Sequence, residues 1–307
     1  MRAFASYILR GRMQAILVAA VAAVLALLLP LLSHVSGTVI ALVTLRRSYR
    51  EGLLVMAGAG LLLGMFGYIS TVSFPLVSAF LVSIFLVIWL PVLVTAEVLR
   101  NSRDLGRALT VTGLLAVVAM VILQLAVGDT VAWWRTLLDA VLAPMLEEAP
   151  VPLSAADKAR MLDSLAGVMS GFMAAAVVYS TAINLFLGRW LQAILFNPGG
   201  FRQEFHQLRL GRGPALASLM VLVLITFASG GVADFAGNLL ILVVVLYAFH
   251  GLALVHGVVA ATGAHKAWLV ALYLLMLFLL PQVMVVLSAA GFADSWVNFR
   301  SRLKKPQ

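Results

Sequence analysis

The sequence contains no cysteine and few charged residues. Without cysteine, the chain has neither disulfide bonds nor thiolate ligands for a metal ion. Only 11% of its 307 residues are charged, whereas about 25% are charged in an average soluble domain. Because 63% of the residues are hydrophobic, so few charges cannot cover a soluble globule. The composition therefore excludes a freely soluble protein.

Sequence motifs of catalysis are also missing. The chain has no Gly-x-Ser-x-Gly, no His-Glu-x-x-His and no Walker loop. Gly58-Ala-Gly60 lies within an apolar run, without the strand and helix of a dinucleotide site. His250 and His256 are six residues apart, whereas a helical metal pair needs a spacing of three or four. The sequence therefore predicts a protein that is not an enzyme and has no cofactor.

Apolar runs recur along the chain, and most are long enough to cross a hydrocarbon core as a helix. Lipid offers the backbone no hydrogen-bond partners, so continuous helices are expected. We predict an all-α, polytopic transmembrane helix bundle that forms a single membrane domain over residues 1–307. The predicted spans are 14–32, 35–45, 52–72, 75–97, 107–127, 165–188, 215–233, 236–260 and 267–290.

The basic residues lie in the loops, as expected for a topology signal and not for a nucleic-acid surface. They form four clusters that fall on one side if the N-terminus is cytoplasmic: Arg2, Arg10 and Arg12; Arg46, Arg47 and Arg50; Arg100, Arg103 and Arg107; and Arg189, Arg202, Arg209 and Arg212. Segment 128–164 holds six of the twelve acidic residues. We therefore predict a cytoplasmic N-terminus and an extracytoplasmic, amphipathic segment 128–164.

The last apolar run leaves the number of spans open. Nine spans would place the basic tail, including Arg300, Lys304 and Lys305, outside, against the charge rule. Pro281 can break this run. Residues 268–291 would then form a re-entrant hairpin, with eight crossings and a cytoplasmic tail. We favour eight spans over nine.

Segment 128–164 is more than a linker. Trp133 and Trp134 are typical of a membrane interface. Ser154 and Asp157 resemble a capping box, which predicts a short amphipathic helix from about Ala155. That helix would lie on the outer leaflet or cover an outward-facing cavity.

Polar residues within the spans are the candidates for ligand binding, because such groups are costly in lipid. Ser180 and Asn184 share a helical face close to Tyr179, and His250 lies inside the eighth span with Tyr247 one turn away. Together they predict a small pocket for an uncharged or zwitterionic molecule. The alternative is that they only form hydrogen bonds between helices.

The cytoplasmic loop 189–213 has the most distinctive sequence. Asn197-Pro-Gly-Gly200 predicts a turn, and an amphipathic helix follows it. This helix would lie against the inner leaflet or dock into the groove of a partner. The candidate partner-binding residues are Arg189, Trp190, Asn197, Pro198, Gly199, Gly200, Phe201, Phe205 and Arg209. If the tail is cytoplasmic, it can contact this loop.

The loop and the tail also carry a family resemblance. Gly188-Arg-Trp-x-Gln, Asn-Pro-Gly-Gly-Phe, Glu-Phe and Leu-Arg-Leu-Gly211, with the terminal Asp294-x-Trp-x-Asn-Phe-Arg-x-Arg302, resemble the YybS-like family of bacterial membrane proteins, a domain of unknown function. The resemblance covers nearly the whole chain. It implies a multi-pass protein of the bacterial inner membrane.

That family is distantly similar to the S components of energy-coupling-factor transporters and to the rod-shape protein MreD. The similarity implies a six-helix core over residues 1–190, followed by additional helices and a basic tail over 214–307. In S components an Ala-x-x-x-Ala face of the first helix meets the coupling subunit. Ala15, Ala19 and Ala23 match that pattern.

Two functions remain open at this point. The first is a binding or transport subunit that captures a small molecule from outside and depends on partner proteins for energy. The second is a non-catalytic scaffold that interacts with other membrane proteins in cell-envelope assembly. Both place the chain in the lipid bilayer, and we favour the first.

Overall fold

The computed structural model describes residues 1–69, 79–80, 83–147 and 154–303, and every regular element in these ranges is a helix. The helices are α1 Arg2–Arg10, α2 Arg12–Leu25, α3 Leu32–Arg46, α4 Tyr49–Ile69, α5 Ile84–Ser102, α6 Leu105–Val127, α7 Thr130–Glu147, α8 Ala155–Phe196, α9 Gly200–Gln207, α10 Arg212–Phe227, α11 Gly231–Thr262, α12 Ala267–Phe278, α13 Leu280–Val297 and α14 Phe299–Leu303.

Six of the described helices are long and apolar enough to cross a membrane, namely α4, α5, α6, α8, α11 and α13. The number rises to eight if two bent pairs, α1 with α2 and α9 with α10, each form one span. The prediction of a helical membrane protein is therefore confirmed. The start of the predicted span 75–97, together with Lys304 and Lys305 of the tail, lies outside the described residues.

Helix α3 lies at the centre of the bundle, where every residue from Ser36 to Leu45 is buried. Ser36 joins three helices through hydrogen bonds. It accepts from the Trp89 indole of α5 at 2.9 Å and donates to the Ala19 carbonyl of α2 at 2.9 Å. Such bonds satisfy polar groups that lipid would leave without partners.

The loops that carry the four basic clusters lie together at one end of the bundle, which we call the basic end. Four contacts join them: the Arg12–Glu51 ion pair, the Arg47–Leu9 and Gln192–Leu45 hydrogen bonds, and the close approach of Gly106 to the Arg209 carbonyl. The structure thus gathers the clusters at one end of the bundle, and their common side of the membrane stays a prediction.

Helices α12 and α13 form a hairpin whose two ends also lie at the basic end. Lys266, before α12, lines the same cavity as Arg202 of α9. Arg300, after α13, donates to two backbone carbonyls of the α9 segment. Pro281 lies in the first turn of α13, where its missing N–H leaves no bond unmade. The predicted contact between the tail and loop 189–213 is therefore present.

The prediction for segment 128–164 is only partly right. Ser154 caps α8 by accepting a hydrogen bond from the Asp157 N–H at 3.1 Å, as the capping box predicts. The predicted short surface helix is wrong, however, because α8 continues without a break for 42 residues. The preceding residues form a second helix, α7, which packs on α8 through a 2.8 Å bond from the Trp134 indole to Ser170.

Candidate ligand cavity at the basic end

A cavity of about 1100 Å³ opens at the basic end between α8 and α9 on one side and α11 and α12 on the other. It extends along α8 from Tyr179 to Ile194, which is about 22 Å at 1.5 Å per residue. Small-molecule sites commonly have volumes of about 300–1,000 Å³. The cavity is therefore large enough for an elongated ligand that reaches into the membrane.

Aromatic side chains form much of the cavity wall. Phe186 of α8 lies at their centre, with its ring centroid 6.0 Å from Phe201, 5.6 Å from Phe205 and 5.7 Å from Phe249. These separations are typical of favourable aromatic pairs. The complete aromatic set is Tyr179, Phe186, Trp190, Phe201, Phe205, Phe249 and Tyr273. Four helices, α8, α9, α11 and α12, thus contribute rings to the cavity wall.

The turn before α9 sets the direction of this helix. Gly199 has a φ of 87°, a conformation that favours glycine, and α9 begins at the next residue. The predicted turn and helix are therefore confirmed. Phe201 and Phe205 are half-buried, and both line the cavity. The apolar face of α9 consequently packs against the cavity wall of its own chain.

Two arginines hold α9 in place. Arg189 of α8 binds the Glu204 carboxylate through two N–H groups, one of them 2.8 Å from its acceptor. Such a two-pronged pair fixes orientation as well as distance. Arg300 of the tail donates to the carbonyls of His206 at 2.5 Å and Leu208 at 2.9 Å. The position of α9 therefore depends on both α8 and the tail.

His256 and Tyr273 connect α11 to α12 inside the cavity. The Nδ1 atom of His256 lies 2.9 Å from the Leu252 carbonyl, and Nε2 lies 3.1 Å from the Tyr273 hydroxyl. A carbonyl only accepts, so Nδ1 carries the proton and Nε2 accepts from the tyrosine in the neutral ring. This pair supplies a polar group within an otherwise apolar wall.

Cations surround the mouth of the cavity. Arg2, Arg202 and Lys266 line it and are exposed, and we call these three residues the cationic rim. Among the described residues that line the cavity, none is acidic. His206 of α9 lies beside them. Burial, followed by the positive charge of Arg202, lowers the pKa of the His206 imidazole.

Behind the cavity lies a buried carboxylate, Asp294 of α13. Its Oδ2 atom is 3.0 Å from His250 Nε2, 2.8 Å from Arg300 Nη2 and 3.4 Å from Arg209 Nε, while Oδ1 accepts from the Phe299 N–H at 2.8 Å. Asp294 and His250 are both fully buried. A buried charge needs such partners to offset its lost hydration. We call these five residues the Asp294 cluster.

The five predicted ligand residues occupy three different places. Tyr179 lines the cavity. Asn184 is buried, and its Oδ1 atom lies 3.3 Å from Nδ1 of His34 at the start of α3. Its Nδ2 atom lies 3.5 Å from the Ser180 hydroxyl. Tyr247 and His250 are buried on α11, and His250 contacts Asp294. The structure therefore does not bring the five into one pocket.

Most of the predicted partner residues contact their own chain. Ala15, Ala19 and Ala23 are at most 1% exposed, so the expectation that their face meets a coupling subunit needs correction. The α2 face packs inside the bundle because its small side chains allow close helix contact. In loop 189–213, Arg189 and Arg209 bind Glu204 and Asp294. The residues of this set that remain exposed are Trp190, Asn197, Pro198 and Gly199.

The sequence analysis names Asp294 only within the terminal motif and does not predict its role behind the cavity, nor does it predict the cavity residues Phe249, Lys266 and Tyr273. Asp294 lies close to the chain terminus and is followed by several basic residues, as in a solvated tail. The available signal is that Asp294 is the only acidic residue after Asp234. Arg300 is six residues away, but the other charged or titratable partners lie 44 residues away on α11 and 85 residues away before α10, and no local pattern connects Asp294 to those two.

No protein-family model, no curated protein and no solved structure matches this chain. The resemblance to the YybS-like family and the six-helix core that it implies therefore stay predictions. The function must be argued from the cavity itself.

Proposed function

We propose that this chain is a small-molecule-binding subunit of the bacterial inner membrane, which holds a hydrophobic ligand in the cavity for transport or transfer. The observation that supports this proposal is the cavity of about 1100 Å³ with its aromatic wall. Protein interiors are close-packed and have few voids. A large apolar cavity with a few converging polar groups is therefore the default position for a ligand.

The proposal places the basic end in the cytoplasm, because loops rich in arginine and lysine face that side. The N-terminus and the tail are then cytoplasmic as well. The sequence analysis expects capture from outside, whereas a cavity at the basic end receives its ligand from the inner leaflet. Energy would come from partner proteins, since the sequence carries no nucleotide-binding loop.

Two adjacent alanines of α11 provide a matched test. Ala260 lines the cavity, whereas Ala261 is also exposed but does not line it. We expect native mass spectrometry of the gently extracted protein to show a bound small molecule. Ala260→Phe should abolish binding because its larger side chain obstructs the cavity, and Ala261→Phe should retain binding. The proposal would be contradicted if the wild-type protein carried no bound molecule. It would also be contradicted if the wild type, Ala260→Phe and Ala261→Phe all retained the same molecule.

A further inference from the structure

We infer that the ligand is an anionic amphiphile, with an apolar chain between the aromatic rings and a phosphate-type headgroup at the cationic rim. This inference rests on the proposed function, since it assigns the chemistry of the ligand that the cavity holds. It also changes an expectation, because the sequence analysis predicts an uncharged or zwitterionic molecule from polar residues that the structure places elsewhere.

The rim carries positive charge that the protein does not neutralise. Arg2, Arg202 and Lys266 come from three distant parts of the chain, and all three are exposed and line the same cavity. Within the described ranges, none of them forms an ion pair or a side-chain hydrogen bond. A bound anion would add an electrostatic partner for these exposed cations.

The nearest acids are already engaged. Glu204 of α9 is bound by Arg189, and Asp294 is bound by Arg209 and Arg300. Neither carboxylate lines the cavity. The field at the mouth is therefore set by the rim, and clefts lined by charge of one sign attract ligands of the opposite sign.

The geometry of the cavity favours an amphiphile over a free anion. The rim occupies the open end, while Tyr179, Phe186 and Phe249 lie along the walls. Apolar walls stabilise a hydrocarbon chain because its surface is removed from water. An arginine guanidinium matches the oxygens of a phosphate with two parallel donors. One end of the cavity thus binds charge, and the remainder binds hydrocarbon.

Three probes separate the parts of this inference. Delipidated full-length protein in a neutral detergent would be titrated with dioleoylphosphatidic acid, with dioleoylglycerol, which lacks only the phosphate, and with inorganic phosphate. Binding would be followed by native mass spectrometry. We expect phosphatidic acid to bind at least about tenfold more tightly than either other probe, since hydrogen bonds to charged groups are the stronger ones.

A pair of double variants tests the rim. Arg202→Gln/Lys266→Gln removes two rim charges, whereas Arg212→Gln/Arg107→Gln removes two exposed charges of the basic end that do not line the cavity. We expect the first to weaken phosphatidic acid binding about tenfold or more, to near that of dioleoylglycerol, and the second to leave it unchanged. Equal weakening in both would overturn a specific role for the rim.

The outcomes also separate this inference from the proposed function. If dioleoylglycerol binds as tightly as phosphatidic acid and Ala260→Phe blocks both, the cavity binds lipid but the anionic headgroup is wrong. If inorganic phosphate binds as tightly as phosphatidic acid, the amphiphile is wrong. If no probe binds and the extracted protein carries no molecule, both the inference and the proposed function fail.

Discussion

At the scale of single residues, loss of the buried Asp294 side chain should strongly destabilise the protein. Asp294→Ala leaves two arginines and a histidine without their shared acceptor. Breaking a buried pair by removing one partner costs about 3–5 kcal/mol. We expect a fall of that size in the free energy of unfolding, measured by titrating the purified protein from mild detergent into dodecyl sulfate.

The matched control for this substitution is Asp163→Ala on α8. Asp163 also pairs with an arginine, Arg135, at 2.8 Å, but its side chain is 57% exposed. Exposed ion pairs contribute about 0–1 kcal/mol, so Asp163→Ala should change the free energy of unfolding only slightly. If Asp294→Ala and Asp163→Ala lowered the free energy of unfolding by similar amounts, burial would not explain the importance of Asp294.

Polar residues were harder to place from the sequence than apolar ones. The helical faces of Ser180 and Asn184, and of Tyr247 and His250, follow from periodicity. Which neighbour each face meets depends on the packing of distant helices. Asn184 contacts α3 and His250 contacts α13, so the five predicted ligand residues lie in different places although each is a polar residue within a predicted span.

At the scale of helices, the contact between α11 and α13 depends on glycine. A Cβ added to Gly251 would overlap the Leu287 carbonyl, whereas one added to Gly237 on the same helix would meet no atom within 4 Å. We expect Gly251→Ala to destabilise the protein by about 1–3 kcal/mol through overpacking. Gly237→Ala should be neutral or stabilise it by up to about 1 kcal/mol, because alanine favours helix.

The same unfolding titration checks this pair of variants. Gly251→Ala should also weaken ligand binding, since α11 carries Phe249 and His256 of the cavity while α13 carries Asp294. If Gly251→Ala is as stable as Gly237→Ala, the two helices do not approach as closely as the structure shows.

The positions of helices can be predicted from the sequence where apolar runs are long. The prediction fails where polarity or proline in the sequence argues against a helix that the structure contains. The runs that became α4, α6 and α11 were predicted close to their observed bounds. Helix α7 was missed because it mixes charged residues with an internal proline, Pro144, and proline normally opposes a helix interior. The sequence predicts α8 as two elements, a short surface helix from about Ala155 and a span from 165, because the polarity changes near residue 165. The backbone nevertheless continues as one helix through this point.

At the scale of the whole molecule, the α12–α13 hairpin supports a prediction of the side of the membrane on which the tail lies. Helix α12 has 12 residues, or about 18 Å, which is short of a hydrocarbon core of about 30 Å. The hairpin enters and leaves at the basic end, so Arg300 can reach α9. Loop 189–213 and the tail should therefore lie on the same side of the membrane.

The absence of native cysteine allows this arrangement to be tested with single introduced cysteines. Gln203→Cys on α9, Ser301→Cys in the tail and Ala156→Cys at the start of α8 all change exposed positions. In intact spheroplasts, an impermeant maleimide should label only Ala156→Cys, and permeabilisation should expose the other two. Labelling of Ser301→Cys together with Ala156→Cys would instead mean that the last segment crosses the membrane. Arg300 could not then bind the α9 backbone, and α9, which forms one wall of the cavity, would lose its contact with the tail.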